Sequence, residues 1–254
     1  MIPKVIHYCW FGGKPLPALE STCVETWHKV MPDYEIVRWD ETNYDIDACA
    51  FSRVAYEAKR YAFVSDYARY KILLANGGIF LDTDVKALKK FDDLLNQGGF
   101  VGFMQNNQFV NPGLVMAYDN AAGEGRLFHG VIDDYESRTF ELSKGRNSMP
   151  TSPRVLTSIL ESQYGLQRNG TMQHLPEGFT VYPASYFDPL DSHTGMMHVT
   201  DDTYSVHLYS GTWLSPAKKY RIETRKKLAP KVGPQLSWFI SSAVSVLKYG
   251  KDAF

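Results

Sequence analysis

Strand-like and helical segments alternate along residues 1–100, and this alternation constrains the fold more than any other feature of the sequence. Short apolar segments typical of strands lie at 4–10, 34–39 and 79–82, and segments with helical spacing lie at 16–31 and 53–76. The second helical segment runs into Gly77 and Gly78, which allow the left-handed backbone that commonly ends a helix. The alternation predicts βαβ units, a mainly parallel sheet and hence an α/β protein.

The carboxyl ends of the predicted strands indicate where a ligand would bind. Ligands of open α/β sheets bind beyond these ends, and Trp10, Asp40 and Asp82 lie there in this sequence. After residue 100 the pattern is less regular. Strand-like segments at 99–104, 113–118, 179–183 and 204–209 are joined by polar stretches rich in Gly and Asn. We therefore expect a substrate-specific half in this later part of the chain.

The third strand-like segment ends in two acidic residues, Asp82 and Asp84, within the sequence GGIFLDTD. Side chains two residues apart on an extended backbone point to the same side, so the two carboxylates would repel each other. Such a pair favours protonation of one member or capture of a cation. Hard oxygen ligands without a Cys or His cluster suit Mg²⁺ or Mn²⁺ held jointly with substrate phosphates. An acidic pair that only caps a turn is the alternative.

Two other functions fit the same Asp-x-Asp pattern. Phosphatases of the haloacid dehalogenase type place it after an apolar strand, with the first aspartate, here Asp82, as nucleophile and Asp84 beside it. That reading requires the motif near the chain start and a later acidic pair, which Asp201 and Asp202 match only loosely. A subunit that binds a sugar nucleotide without catalysing transfer is the third hypothesis.

Asp66 and Arg69 lie on the predicted helix that leads directly to the acidic pair. Residues at i and i+3 are neighbours on one helix face. The planar guanidinium of Arg69 could bind phosphate or sugar hydroxyls, and Asp66 could accept hydrogen bonds from a sugar. A surface ion pair of little energetic value is the alternative for these two residues.

Composition excludes some classes of partner and compartment. The formal net charge of −1 gives no basis for a nucleic-acid partner, because phosphate binding requires a basic surface. The N-terminal sequence lacks the order of a signal peptide, and no apolar run approaches the roughly 20 residues that span a bilayer. Cys9, Cys23 and Cys49 follow no metal or disulfide spacing. We expect a cytoplasmic protein with reduced thiols.

Three stretches together resemble one enzyme family. They are IPKVIHYCWFGGKPLP at 2–17, FVSDYARYKILLANGGIFLDTDV at 63–85 and HLYSGTW at 207–213. They resemble the glycosyltransferases of family 32, which contain a DxD motif and include bacterial capsular polysaccharide and lipopolysaccharide enzymes. The glucosyltransferase domains of large clostridial toxins are more distantly similar. Residues 119–203 match no recognised pattern.

The resemblance implies a GT-A fold with two functional halves. Residues 1–216 would form the catalytic domain, in which 1–100 is the Rossmann-like nucleotide-sugar half and 101–216 the acceptor half. It also implies a metal site of Mn²⁺ or Mg²⁺. Asp84 matches the direct metal ligand, Asp82 matches an aspartate that contacts ribose, sugar and metal-bound water, and either His207 or Ser210 would complete the metal shell.

The remaining family positions concern the nucleotide-sugar donor. Trp10 matches the aromatic residue that stacks on the donor base, and Asp66 and Arg69 match residues that contact the donor sugar. Trp213 matches the tryptophan of a closing loop that contacts the diphosphate, and Asn111 lies where the family places a polar residue near the sugar.

The expected activity is metal-dependent, retaining transfer of a sugar from a nucleotide sugar to a saccharide. The family favours a UDP-sugar donor and a lipid-linked acceptor of surface polysaccharide biosynthesis. No residue of the sequence stands out as a covalent nucleophile. Attack by the acceptor hydroxyl on the face of the leaving phosphate would need none.

The last segment, residues 217–254, differs from the rest of the chain. Seven Lys and Arg residues between 218 and 231 accompany one acid, Glu223, and the apolar stretch 236–247 is too short to span a bilayer. A basic segment beside an aromatic, apolar helix can lie on an anionic membrane face, here the inner face of the cell membrane. The alternative is one solvated helix followed by one packed against the core.

Overall fold

A computed structural model describes residues 1–105, 107–138, 150–192, 194–212 and 214–250. The strands are β1 (Val5–Cys9), β2 (Glu35–Trp39), β3 (Gly78–Phe80), β4 (Val85–Ala87), β5 (Gly99–Phe103), β6 (Val110–Tyr118), β7 (Gln173–Leu175), β8 (Phe179–Tyr182) and β9 (Ser205–His207). The helices are α1 (Ala18–Val30), α2 (Ala50–Glu57), α3 (Tyr61–Asn76), α4 (Arg126–Glu136), α5 (Ser152–Tyr164), α6 (Ala184–Phe187), α7 (Pro216–Val232) and α8 (Pro234–Tyr249).

Seven strands of the described residues form a central mixed sheet in the order β2-β1-β3-β6-β5-β8-β7. Strands β2, β1 and β3 are parallel, β6 is antiparallel to both of its neighbours, and β8 is parallel to β5. Only β6 and β7 therefore run against the other five strands of this sheet. The predicted α/β class and mainly parallel sheet are confirmed, and the arrangement agrees with the expected GT-A fold. Strands β4 and β9 form a separate antiparallel pair.

Helices cover both faces of the central sheet at β3, which explains why this strand has no polar side chain. Adjacent residues of β3 point to opposite faces. Ile79 packs in a core cluster with Trp27 of α1, and Phe80 packs in a second cluster with Tyr70 of α3. Because each face of β3 is buried, the strand contains no alternating polar residues.

The predicted helix 53–76 is wrong as a single element, because the chain forms α2 and α3 there with a break at 58–60. Lys59 has a φ of 58°, in the left-handed region. Its N–H donates to the carbonyl of Tyr56, and the N–H of Arg60 donates to that of Ala55. This pair of bonds is the Schellman motif that ends many helices. Glycine usually occupies the left-handed position, so a lysine there gives no warning in the sequence.

Other differences concern the limits and number of elements. Strand β6 begins three residues earlier than predicted, and β9 is limited to 205–207. Helices α4 and α5 lie within 119–203, where the sequence matched no recognised pattern. Their apolar residues form part of the core beside α3. The three cysteines are free, as expected. No helix among the described residues is both long and apolar enough to cross a membrane.

His7 is a buried histidine of β1 whose hydrogen bonds require the neutral ring. Its Nε2 lies 3.1 Å from the carbonyl oxygen of Gly77, and its Nδ1 accepts a hydrogen bond of 3.1 Å from the Trp39 indole N–H. A proton on Nδ1 would eliminate the second bond. Burial lowers the pKa of His7 to about 4, although the Gly77 carbonyl opposes this shift.

We expect His7 to make the protein less stable in mild acid. The unfolded chain binds a proton at His7 near pH 6.5, whereas the folded protein does so only near pH 4. Stability due to the neutral ring is therefore complete above pH 6.5 and falls by about 2 to 3 kcal/mol between pH 7 and pH 4.5. Urea unfolding at several pH values should show a shallower pH dependence for His7→Gln than for the wild type. The exposed-site variant His28→Gln is the control, and parallel curves for wild type and His7→Gln would contradict the prediction.

Candidate active site

The site lies where the carboxyl ends of β1, β2 and β3 meet at one edge of the sheet. Trp10 and Asp40 directly follow β1 and β2, and Asp82 follows β3 after one intervening residue, as the sequence predicted. The Asp82 N–H donates to the carbonyl of Gly113 on β6 at 3.0 Å, which fixes the end of the segment to the neighbouring strand. Three adjacent strands thus deliver polar or aromatic residues to one place.

Asp82 and Asp84 converge through a turn, and not along an extended strand as expected. The Val85 N–H donates to the Asp82 carbonyl at 3.0 Å, which closes the turn before β4 begins. The buried indole of Trp27 donates to the Val85 carbonyl at 2.7 Å and fixes the start of β4 from the side of α1. The turn itself therefore directs the two carboxylates toward each other.

His207 joins the acidic pair because β9 pairs with β4 and places His207 opposite Val85. Asp82, Asp84 and His207 each offer a ligand atom, and these atoms all lie within 4.8 Å of one another. The His207 Nε2 is 3.1 Å from Asp84 Oδ1 and 4.0 Å from Asp82 Oδ2. The other Asp84 oxygen accepts a hydrogen bond of 2.8 Å from the backbone N–H of Ser210. Both alternatives for the third ligand, His207 and Ser210, therefore lie beside Asp84.

Asp84 and His207 form a buried ion pair when no cation is bound. Burial acts to raise the pKa of Asp84, but the charge of His207 and the Ser210 N–H outweigh it and hold that pKa below its usual range. Burial likewise acts to lower the pKa of His207, but the Asp84 carboxylate raises it to about 9. The protonated imidazole of His207 thus supplies the positive charge that balances the neighbouring carboxylates.

The side chains present fit a divalent cation at this position. Two carboxylates and one imidazole offer the oxygen and nitrogen donors that Mn²⁺ and Mg²⁺ accept, with Mn²⁺ the more tolerant of nitrogen. Within the described part of the chain, the buried Nδ1 of His207 has no hydrogen-bond partner. This nitrogen is not the one that faces the carboxylates, so the fit to a cation rests on the donor set itself, in which the Nε2 of His207 lies beside both Asp84 and Asp82.

Arg69 is buried between two carboxylates. Its side chain is 3% exposed, and its Nη2 is 2.9 Å from Asp66 Oδ1 and 3.2 Å from Asp82 Oδ1. The guanidinium carbon also lies 4.9 Å from the ring centre of Phe80. The i,i+3 contact predicted from the sequence is present, and the alternative of a surface ion pair is wrong for these residues. Burial raises the pKa of Asp66 to about 6, although Arg69 opposes the shift.

Asn111 and Gly113 of β6 border the acidic turn. The buried Asn111 Oδ1 accepts the Gly113 N–H at 2.8 Å. A Cβ at Gly113 would overlap Asp82 Oδ2, so only glycine leaves room for that carboxylate. Sequence reasoning placed Asn111 near the sugar but did not identify Gly113, because the approach depends on the pairing of β3 with β6.

Of the two candidate tryptophans, only Trp10 lies among the described residues. Trp10 is partly exposed, and its indole N–H donates to the carbonyl of Lys14 at 2.7 Å, which fixes the ring beside the end of β1. Trp213 lies outside the described residues.

Tyr209 and Asp188 support the His207 segment and were not identified from the sequence. Tyr209 has a φ of 53° and meets the His207 ring edge-on, with ring centres 4.1 Å apart. Its hydroxyl donates to Asp188 Oδ2 at 2.8 Å, and the same oxygen accepts the Gln105 N–H at 2.9 Å. Asp188 is fully buried, so this contact fixes the chain just after His207. A left-handed tyrosine inside HLYSGTW has no signature in the sequence.

Comparison with known proteins identifies the region that contains this site. Residues 17–101 match the family described as "Glycosyltransferase sugar-binding region containing DXD motif". An uncharacterised glycosyltransferase of Acanthamoeba polyphaga mimivirus is 29% identical over 143 residues, which cover 52% of this chain and 53% of that protein. Inositol phosphoceramide mannosyltransferase 3 of Schizosaccharomyces pombe is 30% identical over 112 residues, covering 39% and 29%. The chain thus spans about half or less of the length of these relatives.

Among solved structures, the PaToxG glycosyltransferase aligns with 64% of this chain and 69% of its own, at 18% identity and a TM-score of 0.46. The family match is more specific, because it includes Asp66, Arg69 and both aspartates of the acidic turn. The region that contains the acidic turn is therefore similar to the glycosyltransferase sugar-binding region with a DXD motif, and the relatives that match this chain in sequence are named as glycosyltransferases.

Proposed function

We propose that this protein is a metal-dependent glycosyltransferase that uses a nucleotide-sugar donor, with a UDP-sugar as the first candidate. The observation that supports this most is the convergence of Asp82, Asp84 and His207 at the sheet edge, with Arg69 and Asp66 directly behind them. In this proposal residues 1–100 bind the donor and residues 101–216 bind the acceptor. Residues 217–254 would be a tail separate from the catalytic domain.

Three residues would hold the cation. Asp84 and His207 would be direct ligands, Asp82 would reach it through water, and Ser210 would orient Asp84 through its backbone N–H. A bound Mn²⁺ or Mg²⁺ would neutralise the negative charge that develops on the departing diphosphate. His207 must lose its proton to bind the cation. Until then, its ion pair with Asp84 holds the carboxylate in position.

The donor sugar would lie above Asp66 and Arg69. Arg69 holds Asp66 and Asp82 in fixed positions, so that both carboxylates can accept hydrogen bonds from sugar or ribose hydroxyls. Asp66 could also stabilise positive charge at the anomeric carbon as the bond to the diphosphate breaks. Trp10 would stack on the base, Trp213 would contact the diphosphate, and Asn111 would face the sugar.

Retention of configuration is part of the proposal, with the acceptor hydroxyl attacking on the face of the leaving phosphate. We further propose a saccharide acceptor that is lipid-linked and belongs to capsular polysaccharide or lipopolysaccharide biosynthesis. One relative is named for mannosyl transfer to inositol phosphoceramide. That name supports including lipid-borne acceptors and mannose donors in any test.

Asp201 and Asp202 argue against the phosphatase alternative. They precede β9, whose Ser205 pairs with Ala87, whereas His207 pairs with Val85 beside the acidic turn. The two acids therefore lie beyond the end of β9 that is remote from the site. Asp82 is moreover bonded to Arg69, which would weaken it as a nucleophile.

A panel of nucleotide sugars with Mn²⁺, with Mg²⁺ and with a chelator tests the proposal. We expect slow hydrolysis of one donor that requires the cation, and faster turnover when an acceptor is added. Release of phosphate from simple monoesters would instead indicate a phosphatase. Donor binding without turnover, in the presence of lipid-borne and free saccharide acceptors, would indicate a non-catalytic subunit.

A further inference from the structure

The last two helices form a hairpin, and the buried face of α8 in this hairpin is made of serines. Ser237, Ser241 and Ser245 of α8 recur at every fourth position and are fully buried. The hydroxyls of the first two bond to carbonyls of α8 itself, and that of Ser245 donates to the Ala217 carbonyl of α7 at 3.3 Å. Small side chains with satisfied hydroxyls let two helices approach closely, as they do inside membranes.

The large apolar residues of α8 lie on the opposite face, in contact with solvent. At 100° per residue, Leu236, Phe239 and Leu247 fall about half a turn from the serines. Their exposed fractions are 50%, 66% and 86%, and Trp238, which lies beside the serine face, is also 57% exposed. The helix is therefore inverted relative to an ordinary surface helix, which buries its apolar face. An exposed apolar surface of this kind indicates an interaction site. The alternative expected from the sequence is a second helix packed against the core, whereas the large apolar residues of α8 are exposed.

The charge of the hairpin indicates what this face contacts. Residues 217–254 contain nine basic and two acidic residues, whereas residues 1–216 contain 18 basic and 26 acidic ones. Lys227, Lys231 and Lys248 are exposed, and the Lys248 ammonium lies 4.1 Å from the ring centre of Tyr220. Long basic side chains can extend to a charged surface while the apolar residues between them are buried.

We propose that the hairpin α7–α8 lies on the surface of an anionic lipid bilayer. Leu236, Phe239 and Leu247 would enter the boundary between headgroups and acyl chains, and the lysines would contact anionic headgroups. The hairpin lies in the surface and does not cross the bilayer, because neither described helix is long and apolar enough for that. This inference does not depend on the proposed transferase activity.

A second copy of this chain fits the same face less well. Two such hairpins placed face to face would bring together two segments with a large excess of positive charge. Like charges in contact oppose association, whereas an anionic bilayer offers opposite charge and an apolar interior at once.

Sedimentation with extruded vesicles of phosphatidylcholine alone, or mixed with phosphatidylglycerol, tests the proposal on the full chain. We expect binding to the mixed vesicles only, with loss of binding at high salt. Phe239→Ser with Leu247→Ser should lower the partition coefficient of the protein onto these vesicles at least about tenfold. Lys227→Gln with Lys231→Gln should lower it about 30-fold. The second variant changes no buried side chain, so it keeps the test valid if the first disturbs the hairpin.

Met172→Ser with Val199→Ser is the matched control, because it removes exposed apolar residues outside the hairpin and should bind as the wild type does. Equal binding to neutral vesicles, or no binding to either kind, would overturn the proposal. Analytical ultracentrifugation tests whether a second copy of this chain covers the face instead. Concentration-dependent dimers that Phe239→Ser with Leu247→Ser abolishes, without vesicle binding, would assign the face to a second copy.

Discussion

In an Asp84→Asn variant, the rate of cation-dependent donor turnover is expected to fall about a thousandfold while the fold stays intact. Asp84 is buried, contacts His207 at 3.1 Å, and is the carboxylate that we propose as the direct ligand. Asparagine has the same shape but no negative charge. It therefore removes the main attraction for a divalent ion without opening a cavity.

The hydrogen bonds of Asp84 can survive this change. The asparagine oxygen can accept the Ser210 N–H, and its amide can donate to the Nε2 of a neutral His207. We therefore expect a near-native circular dichroism spectrum and cooperative unfolding. Calorimetric titration with Mn²⁺ measures the affinity for the ion, and hydrolysis of the preferred donor measures turnover.

Asp201→Asn is the matched control for the lost charge. Asp201 is exposed and lies beyond the far end of β9, so its replacement should leave both ion affinity and turnover unchanged. It also separates the enzymes under consideration, since a phosphatase that used Asp201 as part of its acidic pair would lose activity. Full turnover by Asp84→Asn would refute the metal assignment.

The part of this site that follows from local sequence could be predicted. Trp10 and Asp82 lie at strand ends, and strand ends are visible as short apolar segments followed by a polar or aromatic residue. The contact between Asp66 and Arg69 follows from helical spacing alone. The fold class follows from the same local patterns, because the alternation of strands and helices restricts how the elements can pack.

Features that depend on pairing between distant segments could not be predicted from local sequence, and His207 was expected at the metal site only because of the family resemblance. His207 reaches Asp84 only because β9 pairs with β4, although more than 100 residues separate them. Gly113 matters only because β6 lies beside the acidic turn. The outward face of α8 is a similar case. Its apolar content is evident from the sequence, but the burial of its serines depends on the partner helix α7.

Replacing Arg69 with methionine should be the most destabilising of the changes considered. The variant leaves Asp66 mostly buried without the cation that lies 2.9 Å away in the wild type. Removing one partner of a buried ion pair costs about 3 to 5 kcal/mol, because the other charge stays uncompensated. Methionine retains much of the length and the apolar contact with Phe80, so the loss of charge dominates. Urea unfolding at pH 7.5 measures the effect.

Arg168→Met is the control. Like Arg69, Arg168 is hydrogen-bonded to a carboxylate, that of Glu161, and lies near a phenylalanine ring, that of Phe109. Unlike Arg69, it is not buried, because about a third of the Arg168 and Glu161 side chains is exposed. Exposed pairs contribute about 0 to 1 kcal/mol, so this variant should remain close to the wild type. Similar losses in the two variants would contradict the burial that we assign to Arg69.

Adding Asp66→Asn to Arg69→Met distinguishes the structural role of the pair from its proposed role in catalysis. If the cost arises from an uncompensated carboxylate, the double variant should recover about half or more of the lost stability, since asparagine is neutral. Turnover should not recover, because both groups proposed to position the sugar and Asp82 are then absent. A double variant as unstable as Arg69→Met would mean that packing, and not charge, sets the cost. If the double variant regained turnover, neither Asp66 nor Arg69 would have the role in donor binding that we propose.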